Sequence, residues 1–443
     1  MADVLLYLLG ILIILLGLAV SIGLHEIGHL VPAKLFGVKV TQYMIGFGKT
    51  LWSRRRGETE YGVKMIPLGG YIAMTGMYPP GTAGGTARES TTGFFNTMVQ
   101  EGREASAETI LVGEEGRTFY GLPVWKKIVI MLGGPFMNLL LAFVFFAITF
   151  VGFGLPQYTT TVGHVSECLI PASSAATSCS AEDPAAPGAA AGLRPGDTIL
   201  GIDGTRVTRW EQVRDLVSVS PGTPLTLSIS REGVEQRITL TPAENQRAVT
   251  DAQGVVQVNA DGTTRYETVG MIGVSPTSEN VPQPITEVPR LLGENITQVA
   301  GVIVNLPQRM VDVWNAAFGA EERDPNGPMS VVGVGRMAGE IASLDTAPVE
   351  AKAQTMIGLL GSLNVALFVF NLVPLMPLDG GHVAGALYEG LKRGWARLRG
   401  KPDPGPVDTA KMVPVTFVVV ILLGAMSLLL MYADIVKPVS LFG

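Results

Sequence analysis

The sequence predicts a polytopic α-helical membrane protein with four spans, a membrane-associated β-hairpin loop and an extracytoplasmic α+β domain. Three observations carry this. Of the 443 residues, 47% are hydrophobic and only 16% charged, against ~25% charged in an average soluble domain, and the mean hydropathy is +0.35. Four segments approach the ~20 apolar residues that a bilayer crossing requires. The long stretch 153–355 is instead polar and turn-rich, with 13 basic and 23 acidic residues. A formal charge of −6 with no basic half argues against a nucleic-acid partner. Two cysteines exclude Cys-rich zinc modules and iron–sulfur clusters.

The first span, Val4–Leu24, runs on into HEIGHLVPAKLF and belongs to a segment 1–33. No basic residue precedes it and no small-residue cleavage site closes it, which disfavours a signal peptide. The second span is 128–154 and the third, shorter and more broken, lies within 356–383. The fourth is 413–433, followed by a tail 434–443. Lys and Arg near span ends mark the cytoplasmic side. Segment 34–127 has 12 basic against 8 acidic residues, and 384–412 has six basic residues. Both loops are placed inside, and the termini and 153–355 outside. The outer part divides into a domain 155–275 and a segment 276–355 whose apolar spacing over 285–318 reads as amphipathic helices.

His25-Glu26-Ile27-Gly28-His29 is the H-E-x-x-H pattern. On a helix, positions i and i+4 share a face, so both imidazoles reach one ion and Glu26 faces the space beside it. Zinc suits two nitrogen ligands and an open coordination position. A pair of core histidines beside a stray acid is the alternative, but an uncompensated Glu within a span costs several kcal/mol. A catalytic zinc needs a third protein ligand. Asp379, in Asn371-Leu372-Val373-Pro374-Leu375-Met376-Pro377-Leu378-Asp379-Gly380-Gly381-His382, is the strongest candidate, with His382 and His164 as rivals. Pro374 and Pro377 break the helix before it, and broken backbone at membrane depth is tolerated where it is buried in protein or lines a cavity. Spans one and three both run inward, so HEIGH and Asp379 fall at one level of the bilayer. Gly133-Gly134-Pro135-Phe136-Met137-Asn138 occupies the inner half of span two. Its glycines permit close helix packing, and Asn138 either packs at the site or bonds a substrate.

Between spans one and two, Gly46-Phe47-Gly48 and Pro67-Leu68-Gly69-Gly70-Tyr71-Ile72-Ala73-Met74 frame β-branched and apolar runs around the turn Arg54-Arg55-Arg56-Gly57. This reads as β-hairpins at the membrane face, whose edges either receive an extended substrate or only cover the site. Residues of about 79–118 look like a disordered insertion. Outside, Thr161–Val165 reads as a strand, Ala189–Gly192 as a helical turn, Pro195-Gly196-Asp197 as a tight turn, Thr198–Ile202 as a strand and Asp203-Gly204 as a hairpin. With a helix at Trp210–Val217 and strands at 225–230 and 236–240, this is a PDZ-like pattern. Residues 244–270 read as a polar loop. Cys168 and Cys179 lie in an Ala/Ser-rich insertion, Ser166–Pro187. A disulfide between them is expected, adding ~2–3 kcal/mol of chain constraint; two free thiols are the alternative.

At this point a resemblance is plain. HEIGH (25–29), GGPFMN (133–138), NLVPLMPLDGGH (371–382), GFGK (46–49) and PLGGYIAMTGM (67–77) resemble the motifs of site-2 proteases. These are intramembrane zinc metalloproteases, here similar to the bacterial regulator of sigma-E protease group and its actinobacterial single-PDZ type. The resemblance implies a bacterial inner-membrane enzyme with Zn2+ on His25, His29 and Asp379, Glu26 as general base, and Asn371 and Asn138 at positions associated with substrate or oxyanion. It also implies single-span membrane substrates, with anti-sigma factors foremost, and a PDZ-like domain that either binds peptide termini or only excludes bulky substrates. Two rival readings remain at this level. One is a non-catalytic zinc-binding scaffold, which has no use for Glu26; the other is a metal transporter, which would need polar groups across both leaflets.

Overall fold

The computed structural model describes residues 2–79, 94–170, 179–180, 183, 185–250, 256–259, 263–319, 321–324 and 327–439. The chain forms two compact units, one of Met1–Phe153 with Gln283–Gly443 and one of Gly154–Pro282. In chain order, the first unit opens with α1 (Ala2–Leu35), β1 (Val40–Arg56), β2 (Thr59–Met74), α2 (Phe94–Glu108) and α3 (Val124–Ala147), which continues as a π turn to Phe153. The second unit holds β3 (Leu155–Val165), α4 (Pro187–Ala190), β4 (Thr198–Ile202), β5 (Thr205–Arg206) and α5 (Trp210–Ser218). It continues with β6 (Leu225–Arg231), β7 (Val234–Leu240), β8 (Ala243–Ala248), β9 (Tyr266–Met271) and β10 (Val274–Val281). The chain then returns to the first unit with α6 (Val288–Val304), α7 (Leu306–Phe318), α8 (Val331–Ser343), α9 (Val349–Asn371), α10 (Asp379–Leu398) and α11 (Val413–Val436).

Four described helical stretches are long and apolar enough to cross a bilayer: Asp3–Leu35, Val124–Phe153, Val349–Asn371 and Thr409–Val436. Their outer faces leave Leu12, Leu16, Leu140, Leu422 and Leu428 exposed, the arrangement a hydrocarbon solvent favours and water does not. Inside, Ile14, Ala338, Ile341, Met356 and Leu360 join α1, α8 and α9, and Ala142, Phe146, Val288, Leu292 and Val365 join α3, α6 and α9. α1 and α3 cross at glycines: a Cβ on Gly28 would overlap the Gly133 carbonyl, and one on Gly133 the Gly28 carbonyl. This close approach brings HEIGH against GGPFMN.

Three stretches differ from expectation. The third long helix ends at Asn371, and Asp379 begins a separate helix, α10, that also occupies 384–398 of the expected loop; Pro374 and Pro377 separate the two. Phe94–Glu108, taken as disordered, is helical and packs on α11, with Arg103 ion-paired to Asp408; residues 80–93 of that insertion lie outside those described. Finally, 244–270 is not a plain loop. β8 and β9 pair antiparallel from Ala243↔Met271 to Ala248↔Tyr266, and Arg247 and Glu267 join across the strands at 2.7 Å, an opposite-charge cross-strand contact that favours pairing.

In the second unit the strands run β10-β3-β4-β6-β7, with β5 on β4. The core is Val162, Leu193, Ile199, Ile202, Val213, Leu225, Leu227 and Ile229, the inward half of the alternation in β4 and β6. Asp197 is buried in the Pro-Gly-Asp turn, where Arg231 donates to its carboxylate at 2.8 Å twice and the Arg194 amide donates at 2.8 Å. Cys168 and Cys179 form a disulfide, as expected; residues 171–178 between them lie outside those described.

A candidate metal centre at the end of the first helix

His25, Glu26 and His29 lie in the last three turns of α1, one helical turn separating the imidazoles. All three are buried. The two Nε2 atoms are 3.2 Å apart. The Asp379 carboxylate meets them, Oδ2 lying 3.3 Å from His25 Nε2 and Oδ1 3.3 Å from His29 Nε2. One donor atom from each of the three residues falls within 4.8 Å of the others.

The remaining ring nitrogens fix the orientation of this set. His29 Nδ1 donates to the Ile130 carbonyl at 2.7 Å, so its Nε2 keeps a free lone pair. His25 Nδ1 is 3.0 Å from the Asn138 amide. Asp379 Oδ2 is buried and has no hydrogen-bond partner among the described residues, an arrangement that is costly in the absence of a cation. Gly134 leaves the space in front of the rings open, since a Cβ there would run into His29 Nε2 and His25 Nε2. Two neutral nitrogens, one carboxylate and a cradle that a methyl would fill suit a zinc ion with an open position.

The Leu372–Leu378 break delivers Asp379. Its backbone folds tightly through Leu375 N to Val373 O and Leu378 N to Leu375 O bonds. Gly380 and Gly381 lie so close to it that a Cβ would strike the backbone of Leu372, Val373 and Met376. Glu26 is buried beside the cluster, within electrostatic reach of His25, His29 and Asp379. The backbone of β2 passes against it at Gly70, where a Cβ would come 2.9 Å from Glu26 Cγ. Gly70–Met74 pairs with β1 from Ile45↔Gly70 to Val40↔Met74, and Gln42–Ile45 also faces Glu60–Val63. The 70–74 segment is therefore the edge of the hairpin on the Glu26 side.

The other sequence candidates fall elsewhere. Asn371 closes α9, and its side chain makes no hydrogen bond to a described residue. His382 is outside the cluster; it lines a cavity of about 20 Å³ with Tyr120, Lys127 and Glu389. His164 is on β3, in the second unit. Two features escaped sequence reasoning. Asn364 on α9 is fully buried and bonds Ser21 Oγ at 3.0 Å, one turn before His25; a polar residue within a span was its signal. Lys127, counted as a topology marker, is buried and paired with Glu389 of α10 at 2.8 Å.

The model of Peptidase family M50 matches residues 13–402. The chain belongs to that family. It is similar to zinc metalloprotease Rip1 of Mycobacterium tuberculosis, at 31% identity over 443 residues and 98% of each chain. It is likewise similar to Rip1 of Mycolicibacterium smegmatis, at 32% over 448 residues, 98% of this chain and 99% of the relative. Metalloprotease MmpA of Caulobacter vibrioides is 27% identical over 401 residues, 87% of this chain and 88% of that one. As an M50 peptidase with four bilayer-length helices, the chain is a multi-pass membrane zinc metalloprotease of the site-2 type. Zinc is accordingly its cofactor.

Proposed function

We propose that this M50 peptidase cuts within the transmembrane helix of a single-span substrate, with His25, His29 and Asp379 as zinc ligands and Glu26 as the proton carrier. The observation that carries the reading is the convergence of two imidazole nitrogens and an unpartnered carboxylate oxygen beside a buried glutamate. Zinc supplies Lewis acidity, making water a nucleophile near neutral pH and polarising the scissile carbonyl. Glu26 takes a proton from the attacking water onto its carboxylate and delivers it to the departing amide nitrogen. Ile130 O and Asn138 hold the imidazoles in place, and burial keeps competing water out. Asn371, at the start of the break, is in position along the chain to offer its amide to the carbonyl oxygen.

A helical substrate hides its carbonyls in i→i−4 bonds and must unwind first. The Gly70–Met74 edge beside Glu26 supports strand addition as the holding device. The basic loops favour a cytoplasmic active-site end in a bacterial inner membrane. The strand order and α5 of the second unit support a PDZ-like reading, with a groove of about 850 Å³ lined by Trp210, Val213, Val217, Met271 and Ile272. Such a groove would take peptide termini exposed by earlier trimming on the outer side. An anti-sigma factor in regulated intramembrane proteolysis is the substrate we favour, on the likeness to the regulator of sigma-E protease group. Elemental analysis tests the ligand set: Asp379→Ala loses zinc and His382→Ala keeps it, and the reverse pattern would move the third ligand to His382.

A further inference from the structure

α10 does more than begin with Asp379. It packs on α3 and reaches α1 and the approach to α11 through single side chains. Asp379 meets histidines near the end of α1, and Glu389 pairs with Lys127 in the first turn of α3. The helix follows the end of α9 at Asn371, and Glu389 Oε2 accepts from Val407 N just before α11. Ala386, Glu389 and Ala396 are buried. On the opposite face, Leu387, Tyr388, Leu391, Trp395 and Leu398 form a stripe at helical spacing, with Leu391 73% and Leu398 85% exposed. Lys392, Arg397, Arg399 and Lys401 flank it, and none pairs with an acid among the described residues; Arg399 lies over the Trp395 ring, 4.4 Å from its centroid.

We propose that this stripe seats α10 in the polar–apolar boundary of the bilayer at the active-site end, and that its four cations grip anionic phospholipid headgroups. Charge selects the occupant. A neutral protein face would satisfy the leucines but not four unpaired cations around them, whereas an acidic lipid layer answers both. Trp395 and Tyr388 have the amphipathic rings that settle at headgroup level. Because Asp379 is the first residue of α10, lipid that fixes the helix also fixes that carboxylate against the α1 imidazoles. The coupling to the metal rests on the ligand assignment above; the lipid binding does not.

The full chain, purified in mild detergent, is given phosphatidylglycerol and phosphatidylcholine, and retained lipid is counted by native mass spectrometry. The protein should retain phosphatidylglycerol preferentially, and each of Lys392→Gln, Arg397→Gln, Arg399→Gln and Lys401→Gln should weaken retention about fivefold. Arg397→Lys with Arg399→Lys, which preserves charge, should retain it fully. In nanodiscs, zinc release to a chelator should be slower with phosphatidylglycerol than with phosphatidylcholine alone, a difference the fourfold Gln variant abolishes. Equal retention of both lipids, or lipid retention unaffected by the Gln variants, overturns the binding proposal. So does self-association of the chain through α10 that Trp395→Glu abolishes. Selective retention with zinc release unchanged overturns the coupling alone, and full zinc in Asp379→Ala would trace that failure to the ligand assignment.

Discussion

Asn138 places its amide 3.0 Å from Nδ1 of His25, linking the middle of α3 to the first imidazole of the α1 cluster. Both side chains are buried, and the amide oxygen has no partner among the described residues. An imidazole that binds metal through Nε2 carries its proton on Nδ1, so zinc on His25 would call for the amide oxygen of Asn138 as the acceptor. Asn138→Leu should weaken zinc binding by about 10–100-fold, while Asn138→Asp, which keeps an acceptor, should lose much less. Competition with a chromophoric chelator reads this. Unchanged zinc affinity in Asn138→Leu with a raised KM would assign Asn138 to the substrate instead.

Gly134 faces both imidazoles with no room for a methyl group. Gly134→Ala should displace the rings and leave the protein folded but low in zinc, measured as metal content at unchanged helical circular dichroism. Full occupancy in that variant would show that the rings yield without cost.

The Lys127–Glu389 pair is buried at both ends. Arg393 also pairs with Glu389, at 3.0 Å, so Lys127→Met leaves Glu389 one cation, whereas Glu389→Leu strands the buried Lys127 charge and should destabilise the protein by about 3–5 kcal/mol. The double variant should recover most of that, because the buried Lys127 charge is gone and Arg393 keeps Asp403 at 3.5 Å. Thermal unfolding in detergent distinguishes the cases, and a double variant no better than Glu389→Leu would contradict the reading.

In the second unit, the Arg231 guanidinium beside Asp197 holds that carboxyl below the usual carboxylate range. The unfolded chain therefore takes up a proton first, near pH 4. The contribution to stability is complete above that pH and is lost as pH falls through the depressed folded value. Hydrogen exchange in 154–282 should accelerate below about pH 4. Asp197→Asn should exchange faster already at pH 7, with a flatter acid dependence.

What the sequence made legible was local or repeated. H-E-x-x-H announces itself because its geometry is one helical turn, and the strands of the second unit announce themselves through alternation and Pro-Gly-Asp and Asp-Gly turns. Asp379 was reachable from span parity, though far from HEIGH in the chain. The rest depended on distant partners. Lys127 reads as a surface cation until Glu389, 262 residues away, lies beside it. Strands β8 and β9 are polar segments whose pairing appears only in register, and α10 hides its start behind two prolines that look like the end of a span. Gly134 reads as a packing glycine, since nothing in its neighbours says that two imidazoles face it.

The central claim is metal-dependent hydrolysis inside a membrane segment with Glu26 as proton carrier. The direct measurement is mass-spectrometric mapping of the products when the purified protein meets a panel of single-span helices, with and without chelator, beside Glu26→Gln. The account predicts a cut within the apolar segment that the chelator abolishes and added zinc restores. It also predicts a Glu26→Gln variant with full zinc and a rate lower by about 10²–10⁴-fold. A cut that survives chelation, or robust cleavage by Glu26→Gln, would contradict it.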